Sequence, residues 1–347
     1  MRKLVIYLYA SMISMACLLI GNPSEAQTVD ELKIKVQQLE AKNSALEARL
    51  KKSNKNSKNM AEQEQQMEVL REEIARLQGI IDQKASDEAA WVRSEEAKKN
   101  VKIKVADENL LNYLMRFCDM DNDGVLTQWD AEHTYVIDIA RDKSLLKLKD
   151  GAPVTSLQGI EYFVNLRKLV CSGNPIPQMD LSKNVSLETL IANGCELKLI
   201  DVTNNNNLIH LEANNNLLYT IDLKANDKLQ KLSLYKNKMA SLDLSGCPQL
   251  KVLMCADNTL TALDLSNNEA LEAIDCSDNK LTELSFNNNP KLVNITCSNN
   301  SLTHIDLQNG QDIKYLDCSK NKNLKYVVLS KGKVVKEEKK DSKTSYK

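Results

Sequence analysis

Three closely spaced carboxylates, Asp119, Asp121 and Asp123, are the residues of this chain best suited to bind a metal ion. Calcium prefers about six to eight oxygen ligands, so alternating aspartates within one loop suit this ion. The glycine that follows, Gly124, permits the sharp turn that would bring the oxygens together. The segment therefore predicts a calcium site, and the alternative is an acidic turn that holds no ion.

Residues 119–130 resemble the calcium loop of EF-hand proteins, whose pattern D-x-[DN]-x-[DN]-G they match. The resemblance implies a set of six ligand positions: Asp119, Asp121, Asp123, Val125 through its backbone carbonyl, Thr127 and Asp130. EF-hands prefer a bidentate glutamate at the last position, and the shorter Asp130 is similar to the loop of dockerins, which carry two such loops where this chain has one. Flanking helices are predicted over 108–118 and 131–140 from their apolar periodicity.

The remaining residues form no catalytic constellation. The three histidines, His133, His210 and His304, are scattered, and the chain has no nucleophile elbow, phosphate-binding glycine loop or zinc-protease motif. A net charge of −1 argues against nucleic acid as a partner of the whole chain. The sequence therefore predicts a protein that is not an enzyme.

Most of the chain is organised by an internal repeat. From Val164 to about Lys331, eight copies of a 21-residue phrase follow one another, for example PQLKVLMCADNTLTALDLSNN at 248–268. Apolar residues recur in columns, and the sixth position reads Leu169, Leu190, Leu211, Leu232, Leu253, Ile274, Ile295 and Leu316. One copy cannot bury its apolar face alone, so stacked copies must share one continuous core. The alternation around the sixth position predicts a short strand in each copy and a parallel sheet across them.

The phrase L-x-x-L-x-C-x-x-N-x-L followed by x-x-L-D-L-S resembles the leucine-rich repeat. The resemblance implies an α/β repeat fold, a solenoid with the parallel sheet on its concave face. An inward asparagine at the eleventh position would satisfy backbone groups of the turn. That column reads Asn174, Cys195, Asn216, Asn237, Asn258, Asn279, Asn300 and Asn321.

Cysteine dominates the eighth position, which reads Cys171, Ala192, Ala213, Leu234, Cys255, Cys276, Cys297 and Cys318. Cysteine at this position resembles the repeats of bacterial internalin-like surface proteins. Alanine and leucine share the column and no histidine does, so we interpret the cysteines as small buried apolar residues and not as a metal or redox site. The Cβ atoms of side chains stacked on neighbouring parallel strands lie about 4.8 Å apart, farther than the Cβ–Cβ distance of about 3.5–4.5 Å in a disulfide. Free thiols are therefore predicted.

The fifth, seventh and ninth positions of each copy are predicted to face solvent on the concave side, where solenoids bind partners. Candidate contact residues on this surface are His210, Glu212, Tyr235, Val252, Met254 and Tyr315. Tyr235, Val252 and Met254 fall on adjacent copies and would form an apolar and aromatic patch, a composition typical of interfaces. The sequence therefore predicts a protein or glycan partner on the concave face.

Residues 1–26 are typical of a secretory signal. A basic start (1–3) precedes an apolar run (4–20), and Ser-Glu-Ala at 24–26 offers a cleavage site. The alternatives are an uncleaved membrane anchor and lipid modification at Cys17. The segment predicts export to the periplasm, the cell surface or the medium, with membrane attachment if the signal stays uncleaved.

A heptad pattern covers most of residues 27–84. In its first frame Val29, Val36, Asn43 and Leu50 stand at a, with Leu32, Leu39 and Leu46 at d. In the second frame Met60, Met67, Ile74 and Ile81 stand at a, with Leu70 and Leu77 at d. We interpret the pattern as a coiled coil that joins copies of the chain into a homo-oligomer. The alternative is a helical hairpin with 51–58 as its loop.

The other boundaries follow from these features. Residues 85–105 are predicted as a helical linker, and 106–144 as a helical, EF-hand-like cap on the N-terminal end of the solenoid. The leucine-rich repeats are assigned to 145–331, with a degenerate first coil over 145–163, and the Lys-rich tail 332–347 is predicted to be disordered.

Together these features predict an exported, non-enzymatic binding protein with a calcium-clipped cap and a multimerising stalk. The internalin-like resemblance implies adhesion or contact with a host surface. The alternative is a structural spacer or assembly scaffold of the bacterial envelope.

Overall fold

A computed structural model describes residues 28–52, 57–141, 152–308, 310 and 312–347. The chain divides into two compact units, residues 1–97 and 98–347. The predicted signal segment 1–26 lies outside the described residues, as does most of the stretch between 141 and 152. No helix of the described part combines the length and the apolar character that a membrane span requires.

The first unit contains two long helices, α1 (Val29–Lys52) and α2 (Ser57–Lys98). Leu32 and Val36 of α1 share a buried cluster with Leu77 and Ile81 of α2. Early residues of one helix thus meet late residues of the other, so the helices run antiparallel. The heptad residues pack within one chain.

This arrangement matches the helical hairpin that the sequence left open as an alternative. Two ion pairs cross between the helices, Lys35 with Glu73 at 3.9 Å and Arg71 with Glu47 at 3.2 Å. Heptads specify that a helix pairs along an apolar seam, but they do not specify whether its partner lies in the same chain. The apolar seam therefore pairs within the chain, and the joining of copies into a homo-oligomer stays a prediction.

The second unit begins with helix α3 (Glu108–Phe117) and the short helix α4 (Gln128–Glu132). The helix predicted over 131–140 is wrong, because α4 ends at Glu132 and Val136–Asp138 forms strand β1. Ile137 and Ile139 are buried while the residues between and before them are exposed, and this period of two belongs to a strand. The sheet thus begins inside the segment predicted as the cap, ahead of residue 145.

Short strands recur once per coil and build a ten-stranded parallel sheet in the order β1-β2-β3-β4-β5-β6-β7-β9-β11-β13. After β1 its strands are β2 (Lys168–Val170), β3 (Thr189–Ile191), β4 (His210–Glu212), β5 (Lys231–Ser233), β6 (Val252–Met254), β7 (Ala273–Asp275), β9 (Asn294–Thr296), β11 (Ile313–Asp317) and β13 (Val335–Lys339). Equivalent positions of successive copies are partners, as in Leu190 with Leu211. The sixth-position residues are buried throughout, which confirms the predicted leucine core.

A second parallel sheet of four strands was not predicted. It contains β8 (Leu284–Ser285), β10 (His304–Leu307), β12 (Tyr326–Leu329) and β14 (Ser345–Tyr346). Each of the last coils thus contributes one strand to the ten-stranded sheet and another to this four-stranded sheet. The last coils therefore have sheets on two sides.

The C-terminal tail corrects a further expectation. Residues 332–347 were predicted to be disordered, yet β13 pairs with β11, and β14 pairs with β12. Val335 and Tyr346 pack against the hydrophobic core, and Thr344 is buried. The Lys-rich tail therefore forms one more coil of the solenoid.

Two asparagine ladders hold successive coils together. In the eleventh-position ladder, Asn216 Nδ2 donates to the carbonyls of Ala192 and Asn214, and its Oδ1 accepts from the amides of Cys195 and Leu197. This observation confirms the structural role predicted for the column.

The second ladder stands at position 21 and was missed in the sequence, although its asparagines repeat there visibly. Its members are Asn184, Asn205, Asn226, Asn268 and Asn289, with Cys247 in the fourth copy and no asparagine at this position in the last two copies. Each amide donates to two carbonyls of the preceding coil; Asn205, for example, donates to Leu181 and Asn184. Both ladders satisfy buried carbonyls that would otherwise destabilise the fold.

All eight cysteines of the described residues are buried and free, as predicted. Burial raises the pKa of the Cys318 thiol to about 12 and that of Cys276 well above its ordinary range. A raised pKa favours the protonated thiol, so burial lowers the nucleophilicity of Cys276 and Cys318.

Candidate functional site

The predicted aspartate ligands lie together in one loop, residues 119–130, which we call the aspartate loop. Asp119, Asp121 and Asp123 each place a carboxylate oxygen within 4.8 Å of the others. Backbone in the left-handed region at Asn122 (φ 56°) and Gly124 (φ 79°) makes the tight turn that brings the three side chains to one side. The local sequence thus places the three carboxylates of Asp119, Asp121 and Asp123 close together.

Hydrogen bonds inside the aspartate loop fix two of these carboxylates. The amide of Gly124 donates to Asp119 Oδ2 at 3.0 Å, and the amide of Val125 donates to Asp123 Oδ1 at 2.8 Å. The other oxygen of Asp119, Oδ1, is buried and has no hydrogen-bond partner among the described residues. A buried carboxylate oxygen without a donor is costly, and a cation would compensate for it.

Asp130 does not join this group. Its buried carboxylate accepts hydrogen bonds from the amides of Met120 and Thr127, each at 2.9 Å, and from Thr127 Oγ1 at 2.6 Å. Thr127 and Asp130 form a capping box at the start of α4. In this structure both residues close the loop on itself, so the aspartates at 119, 121 and 123 are the ones positioned toward an ion.

Backbone hydrogen bonds from residues 101–103 support the aspartate loop. The amide of Ile103 donates to the carbonyl of Leu126 at 3.1 Å, and the amide of Gln128 donates to the carbonyl of Val101 at 2.8 Å. An isolated antiparallel bridge between Lys102 and Thr127 completes this contact. Carboxylate oxygens in a preformed turn, with one oxygen buried and unpaired, fit a calcium ion.

The second candidate surface is the solvent-facing side of the ten-stranded sheet, which we call the sheet face. Tyr235 and Met254 are 42% and 40% exposed, and Val252 beside them is half-buried. Tyr235 follows β5, and the other two residues lie on the neighbouring strand β6. The structure thus brings together the predicted patch of Tyr235, Val252 and Met254, called here the Tyr235 patch.

Glu212 anchors a polar network next to this patch. Its carboxylate accepts hydrogen bonds from His210 Nε2 and Lys231 Nζ, each at 2.7 Å, and from Asn193 Nδ2 at 3.1 Å. Burial by itself would raise the pKa of Glu212, but hydrogen bonds from Lys231, Asn193 and His210 outweigh it and lower the pKa to about 2. Glu212 is therefore held in place in an ion pair with Lys231 at 2.7 Å, which gives the sheet face a fixed polar group beside the patch.

Tyr315 is separated from the other candidates. It lies on β11, which follows β7 and β9 in the sheet, whereas His210, Glu212 and the Tyr235 patch occupy β4 to β6. The ammonium of Lys339 lies 5.9 Å from the centroid of the Tyr315 ring. Tyr315 thus contacts the last coil, and the sheet face has its candidate contacts at strands β4 to β6.

Comparison with known proteins gives matches among solved structures only; no protein family and no curated protein matches the chain. The functional domain of InlJ from Listeria monocytogenes, which includes a cysteine ladder, is similar at 26% identity and a TM-score of 0.50. That alignment covers 64% of this chain and 54% of the other, so the chain spans about half the length of that structure.

Two further structures overlap less well. A leucine-rich repeat protein of Leptospira interrogans has 23% identity and a TM-score of 0.43, with 53% of this chain and 47% of the other covered. Internalin C2 of Listeria monocytogenes has 19% identity and a TM-score of 0.40, with 65% and 93% covered. The stacked parallel strands, the leucine core and the cysteine column establish the fold independently of these two. The chain carries a leucine-rich repeat solenoid of 21-residue, cysteine-containing repeats, similar to the solenoids of internalin-like bacterial proteins.

Proposed function

We propose that this chain is a binding protein that holds a protein partner on the sheet face, centred on the Tyr235 patch. The observation that carries the proposal is an exposed tyrosine and an exposed methionine on adjacent coils, beside a carboxylate that is already fixed by three hydrogen bonds. Aromatic and methionine side chains are enriched at interfaces, and rigid polar neighbours lose little entropy when a partner binds.

Replacing both Tyr235 and Met254 with aspartate is expected to weaken partner capture by at least about tenfold, because it removes the apolar contact and adds charge where a partner would exclude water. The measurement is capture of proteins from envelope and host-cell extracts on the immobilised full-length chain, with mass spectrometry of the bound fraction.

The matched control replaces Leu199 and Tyr219 with aspartate. These residues are 61% and 56% exposed and lie outside the sheet. Capture lost equally in both double variants, or kept in the Tyr235 variant with an unchanged melting temperature, would contradict the patch. Binding detected only on a glycan array would show that the partner is a glycan and not a protein.

Export and adhesion are part of the proposal. The basic and apolar start of the sequence supports export, and the similarity to internalin-like solenoids supports contact with an outside surface. Cell fractionation distinguishes adhesion from the envelope-spacer alternative. Protease-accessible protein on intact cells supports adhesion, and retention in the periplasm supports the spacer.

We also propose that the aspartate loop binds one calcium ion through Asp119, Asp121 and Asp123. The loop connects α3 to α4, and β1 follows α4 after three residues, so an ion there would clip the cap against the first coil. An ion that binds only the folded state stabilises it, by about 2.7 kcal/mol at a hundredfold excess over its dissociation constant.

Calcium is therefore expected to raise the melting temperature of the full-length chain, and a chelator to lower it. Asp119→Asn is expected to abolish this response, because it removes the charge of the most enclosed carboxylate. Asp222→Asn is the control, since Asp222 is exposed in a repeat turn where its carboxylate accepts from the amide of Lys224. Calcium without effect on the melting of the native chain would contradict the clip.

A further inference from the structure

A lysine ammonium of the chain itself lies beside the aspartate loop. Lys99 Nζ lies 3.3 Å from Asp121 Oδ2, one of the three clustered carboxylates. The same ammonium lies 4.3 Å from the centroid of the Trp129 ring. Lys99 thus bridges a proposed ion ligand and an aromatic face at the start of α4.

We propose that Lys99 competes with calcium for Asp121 and thereby sets the calcium affinity of the aspartate loop. This inference depends on the calcium site proposed above. It goes beyond that proposal because it assigns a specific residue, outside the loop motif, to the control of the site.

The backbone holds Lys99 within reach of the loop. The amide of Val101 donates to the carbonyl of Lys98, and residues 101–103 are hydrogen-bonded to Leu126 and Gln128. On the other side, Lys98 Nζ pairs with Glu132 Oε2 of α4 at 2.6 Å. With both neighbours anchored, the Lys99 ammonium remains at high local concentration beside Asp121.

Charge and geometry determine what calcium binding must do. Asp121 can give its oxygens fully to the ion only if the ammonium moves away, and an ammonium that stays close repels the divalent ion. Exposed ion pairs contribute little, and the Lys99 side chain is 43% exposed, so the competition weakens binding without preventing it. The loop then needs a severalfold higher calcium concentration to fill than it would without Lys99.

The first test is calcium titration calorimetry on the full-length chain. Lys99→Met is expected to tighten calcium binding about three- to tenfold, because it removes both the competing ammonium and its repulsion. Lys99→Arg keeps the charge and should stay within about twofold of the native affinity. Lys104→Met removes the same charge from an exposed residue outside the loop and should also change the affinity less than about twofold.

Trp129 gives a second, optical readout. The chain has two tryptophans, so Trp91→Phe leaves Trp129 as the sole reporter. Calcium should change the Trp129 emission in that variant as the ammonium leaves the ring, and Trp91→Phe combined with Lys99→Met should lose most of this change. The response should follow the calorimetric binding curve.

The outcomes separate the inference from the site on which it depends. Equal calcium affinity for the native chain and Lys99→Met, with binding still lost in Asp119→Asn, would overturn the role of Lys99 alone. No calcium binding in either chain would overturn the site and the inference together. An equal gain in Lys99→Met and Lys104→Met would also overturn the inference, because general charge would then explain the effect.

Discussion

Replacing Asn216 with leucine is expected to lower the free energy of unfolding by about 3–6 kcal/mol. The Asn216 side chain takes part in four hydrogen bonds, two to the amides of Cys195 and Leu197 and two to the carbonyls of Ala192 and Asn214. A leucine leaves most of these groups buried without a partner, at about 1–3 kcal/mol each. Equilibrium denaturation followed by circular dichroism measures the loss.

Asn204→Leu is the matched control for Asn216→Leu. Asn204 is exposed and precedes the second-ladder residue Asn205, so its replacement removes no buried contact and should change stability by less than about 0.5 kcal/mol. Similar losses in the two variants would mean that asparagine composition, and not the eleventh-position ladder, determines the stability of the coil.

The second large effect is expected at Asp107, whose replacement by alanine should cost about 2–5 kcal/mol. One oxygen caps α3 through the amides of Asn109 and Leu110, each at 2.9 Å. The other accepts from the amide and hydroxyl of Thr155 at 2.7 and 2.9 Å and from the amide of Ser156. Hydrogen bonds to a charged group contribute more than neutral ones, so one side chain secures both α3 and the entry to the solenoid.

Hydrogen exchange locates this effect. In Asp107→Ala, protection should fall over 108–117 and 154–163 and remain unchanged at β4 to β7, because each coil of a solenoid contacts only its neighbours. Protection lost evenly along the whole sheet would contradict a local role for Asp107.

Stability should also depend on pH through this carboxylate. Burial alone would raise the pKa of Asp107, but hydrogen bonds from Thr155, Leu110 and Asn109 lower it below its ordinary value of 3.8. Because its pKa is lowered in the folded state, the Asp107 carboxylate stabilises the fold fully above about pH 4. This stabilisation is lost as the pH falls through the folded-state pKa. Asp107→Asn should therefore flatten this part of the acid-denaturation curve.

Much of the solenoid could be predicted from the sequence because every copy has apolar residues at the same repeat positions. A column such as Leu169, Leu190 and Leu211 makes sense only if the copies stack in register, so strands and core follow together. The position-21 ladder carries the same kind of signal and was overlooked because its asparagines lie among many exposed ones.

Other elements depend on information that composition does not contain. The tail is rich in lysine, which indicates solvated chain, but Val335 and Tyr346 suffice to dock it against the core that the repeats provide. The heptads of α1 and α2 do not encode whether their partner is in the same chain. β1 arises because the first coil offers an edge to pair with, although its flanking sequence has helical periodicity.

The candidate sites were predictable to a similar degree. Spacing alone brings Asp119, Asp121 and Asp123 together, whereas the use of Asp130 as a helix cap depends on where α4 begins. Lys99 lies outside the motif and contacts Asp121 where residues 101–103 are hydrogen-bonded to the end of the loop. Tertiary neighbours of this kind cannot be predicted from a loop pattern.

The asparagine ladders have a direction along the chain. Every described ladder amide donates backward, as Asn226 does to Val202 and Asn205, and so completes the coil that was made before it. A chain synthesised from its N-terminal end can therefore order one coil at a time, because each new coil supplies donors for carbonyls of the coil before it. A chain truncated after any coil would therefore lack ladder donors only for the carbonyls of its last turn.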